Sequence, residues 1–210
     1  MSNPVNTPPS VDPPSTTLPS SPLKAIGLFF WELIKVFLIA VVIIVPIRYF
    51  LVQPFFVRGA SMEPNFHDGE YLVIDQLSYR FREPERGEVI VFRFPDNPSQ
   101  FFIKRIIGLP GDTVTVDQGR VTIQNTEFQS GVVIDESSYL PDTTRTGGST
   151  KIQLGADEYF VLGDNRSASS DSRSWGALGD QYVIGRAWIR AFPFNEFEVF
   201  ALDRLGFVNP

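Results

Sequence analysis

The sequence predicts a mainly β domain preceded by one membrane-spanning α-helix. Two observations lead to this prediction. An apolar segment runs from Ile26 to Ile47, and its only charged residues are Glu32 and Lys35. After residue 70 the chain changes to short runs rich in valine, isoleucine and aromatic residues, separated by glycine, proline, aspartate and asparagine. Runs of this kind, bounded by turn residues, are typical of β-strands.

The first 24 residues are expected to form a disordered tail. They are rich in proline, serine and threonine, carry little charge and have no apolar periodicity, so they cannot offset the entropy lost on folding. The whole chain has 210 residues and a net charge of -6, which disfavours a nucleic-acid partner because phosphate binding needs a clustered basic surface. It contains no cysteine, which excludes disulfides, thiolate zinc sites and a cysteine nucleophile.

Residues 25–50 are predicted to form a single transmembrane helix. At about 1.5 Å per residue, the segment can span the roughly 30 Å hydrocarbon core of a bilayer. Glu32 and Lys35 are three residues apart and can pair near one end of the helix, while Trp31 can serve as an interfacial anchor. A buried helix of a soluble protein is the alternative. Basic residues lie on both sides of the segment, so the positive-inside rule leaves its orientation open.

Residues 51–210 are predicted to form one β-rich domain. The turn residues Asp117–Arg120 predict a hairpin, and the polar, glycine-rich stretch Gln129–Thr150 predicts a long surface loop. Seven strands are predicted in this domain: Glu70–Asp75, Glu88–Phe94, Phe101–Ile107, Thr113–Val116, Arg120–Ile123, Tyr159–Leu162 and Tyr182–Arg190.

The chemistry available to the domain is limited by its histidine content. His67 is the single histidine and lies in a turn-like segment, where a solvated loop histidine is the favoured interpretation. A multi-histidine metal site is therefore impossible, and we expect neither a metal nor a cofactor. The Ser21–Lys24 segment matches a Ser-x-x-Lys pattern, but it lies in or beside the predicted tail and is attributed to chance.

Three blocks of sequence, in order after an apolar helix, resemble the signature boxes of type I signal peptidases. The resemblance covers roughly residues 25–195, and several independent blocks in register make it specific. The blocks are Gly59-Ala-Ser-Met-Glu-Pro64, then Arg86–Phe92 with Phe102–Asp112, and finally Gly163–Gly176.

The resemblance implies a role for individual residues. The family's nucleophilic serine corresponds to Ser61 and its general-base lysine to Lys104. The hydroxyl that hydrogen-bonds the lysine corresponds to Ser169, and Asp171 with Arg173 corresponds to a charged pair that braces the lysine's surroundings. The implied enzyme is a membrane-bound serine endopeptidase that removes signal peptides from exported preproteins after small-x-small sites.

The resemblance also implies a fold and a location. The fold is a mainly β domain shared with repressor-type autoproteases, and the catalytic domain would lie on the extracytoplasmic face, periplasmic or lumenal. The expected partners are exported preproteins with cleavable signal peptides and the lipid bilayer. The residues that correspond to shallow substrate pockets are apolar: Val57, Met62, Phe66, Leu72, Val91, Phe102 and Ile103.

Elementary chemistry agrees with a serine and lysine pair. A serine hydroxyl needs an adjacent base, and a lysine can act as one only in its neutral form. Lys104 lies within an apolar run and would share a strand face with Phe102 and Ile106, where desolvation lowers the pKa of an ammonium group. Gly59 departs from the family pattern, since many members have a hydroxyl residue there that helps to form the oxyanion hole.

Three other interpretations remain open at this point. A repressor-type Ser-Lys autoprotease would share the same pair of residues, but the apolar helix and the lack of a DNA-binding segment argue against it. A catalytically inactive, membrane-tethered binding module is the second. A structural single-pass membrane protein with a β domain is the third.

Overall fold

The computed structural model describes residues 22–46, 52–200 and 206–208, and the chain divides into two units after Val45. The first unit contains helix α1, Pro22–Pro46, except for its last residue. Within the helix, Ile26–Val45 forms a 20-residue stretch of mean hydropathy 2.7, and none of its residues is buried. That length and composition suit a membrane span. The tail predicted for residues 1–24 lies outside the described residues, except that α1 already includes residues 22–24.

The described part of the second unit is built almost entirely from antiparallel strands, which confirms the mainly β prediction. The strands are β1 Val52–Phe56, β2 Tyr71–Asp75, β3 Val89–Phe94, β4 Asn97–Gly108, β5 Thr113–Asp117, β6 Arg120–Gln124, β7 Val132–Asp135, β8 Thr150–Gln153, β9 Glu158–Leu162, β10 Leu178–Gly179, β11 Val183–Phe192, β12 Glu198–Val199 and β13 Gly206–Val208. The short helix α2, Ser172–Trp175, precedes β10.

The strands form two sheets. The larger sheet has the order β1-β2-β11-β3-β4-β9-β10, with β12 added beside β11. The smaller sheet has the order β13-β7-β6-β5-β8. Alternate residues of β5 and β6 are fully buried in one apolar cluster, which also receives Phe160 and Leu162 from β9 of the larger sheet. This shared core joins the two sheets.

The larger sheet carries apolar residues on both of its faces. One face packs Met62, Leu72 and Val91 into a cluster, and the other packs Ile90, Phe92 and Ile106. Because successive residues of a strand point to opposite faces, the sequence of β3 is an almost unbroken apolar run rather than an alternating one.

The hairpin predicted at Asp117–Arg120 is confirmed. Asp117 pairs with Arg120, and the two residues between them, Gln118 and Gly119, have φ angles of 48° and 80°. Two consecutive positive φ values are what a tight two-residue hairpin turn requires, and glycine adopts such values without a steric penalty.

The prediction of one long loop over Gln129–Thr150 is wrong in part, because the segment contains strand β7. Val132 and Ile134 are buried while their neighbours are half-buried, so this short alternating run covers the core of the smaller sheet. The surrounding glycine and polar residues concealed a strand of only four residues. Strand β1 also went unpredicted because Pro54 interrupts its apolar run.

Candidate active site

Ser61 lies in a loop that leaves β1 and returns to β2. The loop is closed at its base by two backbone hydrogen bonds, from Val57 N to Glu70 O at 2.9 Å and from Gly69 N to Val57 O at 3.1 Å. Gly59 has φ = 85°, a conformation that suits glycine, and its N–H donates to Asp68 Oδ1 at 2.6 Å. The backbone before Ser61 is therefore fixed by hydrogen bonds to the last residues of the same loop.

A second segment holds the backbone around Ser61. The backbone N–H of Asn165 donates to Ser61 O at 3.1 Å, and its side-chain Nδ2 donates to Ala60 O at 3.0 Å. Two of the three sequence blocks, which are about 100 residues apart, thus meet directly at the serine. Neither bond could be predicted from sequence, since Ala60 and Ser61 are far from Asn165 along the chain.

Lys104 reaches Ser61 from β4. Its Nζ lies 2.8 Å from Ser61 Oγ and 2.7 Å from Ile103 O, and 5.4 Å from the centre of the Phe102 ring. Phe102 and Ile106 pack on the same face of the sheet as predicted, while Ile103 packs on the other. The lysine is 3% exposed, so its amine is almost completely removed from water.

Burial lowers the pKa of Lys104 from its ordinary value of 10.5 to about 8. The carboxylates of Asp171 and Asp164 act in the opposite direction and keep the pKa from falling further. A substantial fraction of the lysine is therefore neutral slightly above neutral pH. A neutral amine within hydrogen-bonding distance of a serine hydroxyl can accept its proton.

Ser169 lies beside the pair without bonding to it. Its hydroxyl is buried, and among the described residues it has no hydrogen-bond partner of good geometry, so the bond to Lys104 that the family resemblance implies is not formed here. Gly163 explains how the serine fits. A β-carbon at residue 163 would lie 2.1 Å from Ser169 Oγ and 2.5 Å from Ser61 O. Glycine is therefore required where these two segments cross.

Asp171 and Arg173 form the ion pair expected from the sequence. The Asp171 carboxylate is fully buried, and Arg173 Nη2 lies 2.8 Å from its Oδ2. Asp171 also accepts the N–H of Gly163 at 3.1 Å and caps helix α2 by accepting the N–H of Arg173. Burial alone would raise the pKa of Asp171, but these hydrogen bonds and the Arg173 charge outweigh that effect and lower it.

A second buried ion pair was not predicted. Arg105, the residue after the lysine, donates to Oδ1 and Oδ2 of Asp164 at 2.9 and 2.8 Å, and Asn65 donates to the same carboxylate. Arg105 also donates to Gly87 O. The sequence shows only a charged residue within an apolar run. Such a residue is expected to have a buried partner, but the pattern does not identify which residue that is.

An apolar cavity of about 570 Å³ opens beside Ser61 and Lys104. Five of the seven predicted pocket residues line it, whereas Met62 and Phe66 are buried in the core cluster. The lining consists of Phe55, Phe56, Val57, Arg58, Ser61, Leu72, Val91, Gln100, Phe101, Phe102, Ile103, Lys104 and Ser170. Sequence patterns identify apolar residues, but they do not say on which side of the cavity wall a side chain lies.

His67 is exposed on the loop between β1 and β2. Its side chain is 54% exposed, and Nδ1 lies 3.9 Å from Glu63 Oε1, as expected for a loop histidine. Within residues 22–46, 52–200 and 206–208, no three histidine or carboxylate side chains are grouped closely enough to hold a metal ion.

Comparison with known proteins identifies related sequences. A family model described as signal peptidase, peptidase S26, matches residues 30–192. A probable signal peptidase I-2 from Synechocystis sp. is 40% identical over 167 residues, covering 77% of this chain and 73% of the relative. A signal peptidase I from Leptolyngbya laminosa is 35% identical over 217 residues, covering 100% and 98%. One from Bacillus licheniformis is 35% identical over 183 residues, covering 82% and 93%.

Proposed function

The chain belongs to the signal peptidase family, peptidase S26, and on that premise we propose that it removes signal peptides from exported preproteins as a Ser-Lys serine endopeptidase. The observation that carries the assignment of residues is the 2.8 Å contact between Lys104 Nζ and Ser61 Oγ at the edge of an apolar cavity. The intact pair also argues against an inactive binding module.

The geometry supports a two-step hydrolysis. Neutral Lys104 accepts the proton of Ser61 Oγ while the oxygen attacks the carbonyl carbon of the scissile bond. The resulting ammonium donates that proton to the departing amine, which leaves an acyl-enzyme on Ser61. Lys104 then takes a proton from water as the water oxygen attacks the acyl carbon. The ammonium returns that proton to Ser61 Oγ as the acyl–oxygen bond breaks, which releases the signal peptide and restores Ser61.

The backbone N–H of Ser61 is the proposed donor to the oxyanion that forms during attack. Among the described residues no hydrogen bond occupies this N–H, whereas the N–H of Gly59 is occupied by Asp68. Many members of the family have a hydroxyl residue at this position, but Gly59 has no side chain and supplies no hydroxyl. A water or a second amide would complete the oxyanion hole.

The substrate is proposed to bind as an extended strand along β4. Strand β4 pairs with β9 only through Arg105, Ile106 and Gly108. Over Phe101–Lys104, its edge opposite β3 therefore has no partner strand among the described residues. An extended peptide there can form main-chain hydrogen bonds and place alternate side chains in the cavity. The apolar lining formed by Leu72, Val91 and Ile103 favours small, uncharged side chains.

Residues 25–50 are proposed to anchor the enzyme in the bilayer, with residues 51–210 on the extracytoplasmic side. The apolar character of Ile26–Val45 and the membrane anchoring of the family support the anchor. The side of the membrane follows from the proposed substrates, because the cleavage site of an exported preprotein emerges on that side.

The test is cleavage of a preprotein with an Ala-x-Ala site by the detergent-solubilised full chain, followed by mass measurement of both products. We expect cleavage directly after the second alanine, and complete loss in Ser61→Ala and in Lys104→Ala. Ser137→Ala is the matched control, because Ser137 is exposed and does not line the cavity. Equal cleavage by wild type and Ser61→Ala would refute the proposal.

A further inference from the structure

The charges around the catalytic cavity are asymmetric. Of its lining residues only Arg58 and Lys104 carry ionisable side chains, and no carboxylate of the described residues lines it. Lys104 must be neutral to act as a base, so Arg58 is the one lining residue that stays positively charged in the working enzyme. The cavity therefore presents a single fixed cation to the substrate.

The Arg58 guanidinium lies beside an aromatic ring but not beside a carboxylate of the described residues. Its side chain is exposed, and it lies 5.9 Å from the centre of the Phe56 ring. Within the described residues it has neither an ion pair nor a hydrogen bond. Seven other arginines of the β-rich unit are each paired with a carboxylate: Arg82, Arg86, Arg105, Arg166, Arg173, Arg186 and Arg190. Arg58 remains available to bind a carboxylate of another molecule.

The alternating burial of β1, Val52–Phe56, continues past the end of the strand to Arg58. All four residues 55–58 line the cavity. Phe55 and Val57 also pack into the apolar cluster of the larger sheet, while Phe56 and Arg58 are exposed. Side chains of an extended substrate alternate in the same way. If the two small residues of a small-x-small site enter the cavity, the residue between them points out of it, toward the exposed side chains of Phe56 and Arg58.

We propose that Arg58 is a specificity residue that selects substrates with an acidic side chain at the middle position of the small-x-small site, two residues before the cut. The proposal rests on the proposed function. A glutamate at that position gains attraction from Arg58, and a lysine there is repelled. Because the guanidinium is exposed, the selection is moderate and decreases as salt is added.

The experiment compares kcat/KM for three peptides that differ only in having Glu, Gln or Lys between the two alanines of an Ala-x-Ala site. At low salt the wild type should prefer Glu to Lys by about tenfold, because the attraction of Glu and the repulsion of Lys each contribute about threefold at an exposed site. Arg58→Gln should reduce the ratio to about one, and Arg58→Glu should invert it, as opposite signs of charge require. Arg120→Gln, an exposed arginine in β6, should keep the wild-type ratio.

Two outcomes would overturn the role of Arg58. In the first, Arg58→Gln has the thermal transition of the wild type, and its ratio of kcat/KM for the Glu and Lys peptides is unchanged. The other is discrimination that appears only when the same three residues are placed directly after the cut. If the wild type cleaves none of the peptides, including the neutral one, the proposed function itself fails, so the two failures are distinguishable.

Discussion

Gly163 and Ser169 are packed so closely that a single added methyl group at residue 163 would overlap the Ser169 hydroxyl. The same methyl group would also overlap the carbonyl oxygen of Ser61, 2.5 Å away. The segment carrying Ser169 and the loop carrying the nucleophile thus share one point of contact. Any residue larger than glycine must displace one of the two.

Gly163→Ala is therefore expected to reduce kcat/KM by at least about tenfold, because a shift of about 1 Å at the nucleophile has effects of that size or greater. Gly147→Ala is the matched control, since a β-carbon there meets nothing within 4 Å. The measurement is peptide cleavage by both variants, with circular dichroism as a check of folding. A folded Gly163→Ala enzyme with normal turnover would contradict the packing described.

The pH dependence of cleavage should reflect the lowered pKa of Lys104. The lysine is protonated and inactive below its pKa of about 8, so kcat/KM should rise with pH through that value. With an unperturbed lysine, kcat/KM would rise at about pH 10.4 instead. Arginine at position 104 should be inactive throughout the range, because it stays protonated. A rise centred near that higher pH in the wild type would show that the amine is not desolvated.

Burial of Lys104 should also appear in stability. The pKa of Lys104 is about 8 in the folded protein, against 10.5 for an ordinary lysine such as that of the unfolded chain. Between these two pH values the unfolded chain binds more protons than the folded one, so the free energy of unfolding increases with pH. Relative to Lys104→Met, the wild type should gain about 3 kcal/mol in its free energy of unfolding between pH 8 and 10.5. Urea unfolding of the detergent-solubilised proteins measures this difference. A pH-independent difference would argue against the shifted pKa.

Asp171→Asn should move the pH profile in a defined direction. Burial lowers the pKa of Lys104, and the negative charge of Asp171 partly opposes that effect. Removing the charge should shift the midpoint of the profile below about 8, even though the broken ion pair with Arg173 reduces stability. Asp117→Asn, in an exposed hairpin turn, serves as the control. A midpoint that stays constant or rises would exclude this electrostatic coupling.

Met62 and Ile103 should respond differently to alanine. Met62 is 1% exposed and lies in the core, so Met62→Ala should cost about 2–5 kcal/mol of stability and leave the preference for small residues intact. Ile103 lines the cavity, so Ile103→Ala should widen it and admit Val or Leu before the cut. Thermal unfolding and a peptide series with increasing residue size distinguish the two effects. Broadened specificity in Met62→Ala would place that side chain in the substrate pocket.

The strands that could be predicted from sequence are those with a pattern of their own. The run Glu88–Phe94 became β3, Val89–Phe94, and the turn at Asp117–Arg120 was found because turn residues separate two Val/Thr runs. Strands β10 and β12 have two residues each and exist because a neighbouring strand pairs with them. A pattern of two residues contains no periodicity, so only tertiary structure reveals such strands.

The candidate site was predictable to a similar extent. The sequence blocks identified Ser61 and Lys104, which the fold brings to within 2.8 Å, although their catalytic roles stay a prediction. The ion pair between Arg105 and Asp164 and the support of Ser61 by Asn165 depend on contacts distant in sequence. Local patterns contain no signal for such pairs, which arise only when the sheet assembles.

The strand order also sets how late in synthesis the segments carrying Ser61 and Lys104 can join one sheet. Strand β11 separates the β1-β2 hairpin, which holds the Ser61 loop, from the β3-β4 hairpin, which holds Lys104. Tyr71 of β2 pairs with Phe192 of β11, and Ile90 of β3 pairs with Arg186 of β11. Until the ribosome has released residues 183–192, the two hairpins have no common strand, and such distant pairings form slowly. In a nascent chain of this length, Ser61 and Lys104 therefore lie on two hairpins that no strand yet joins.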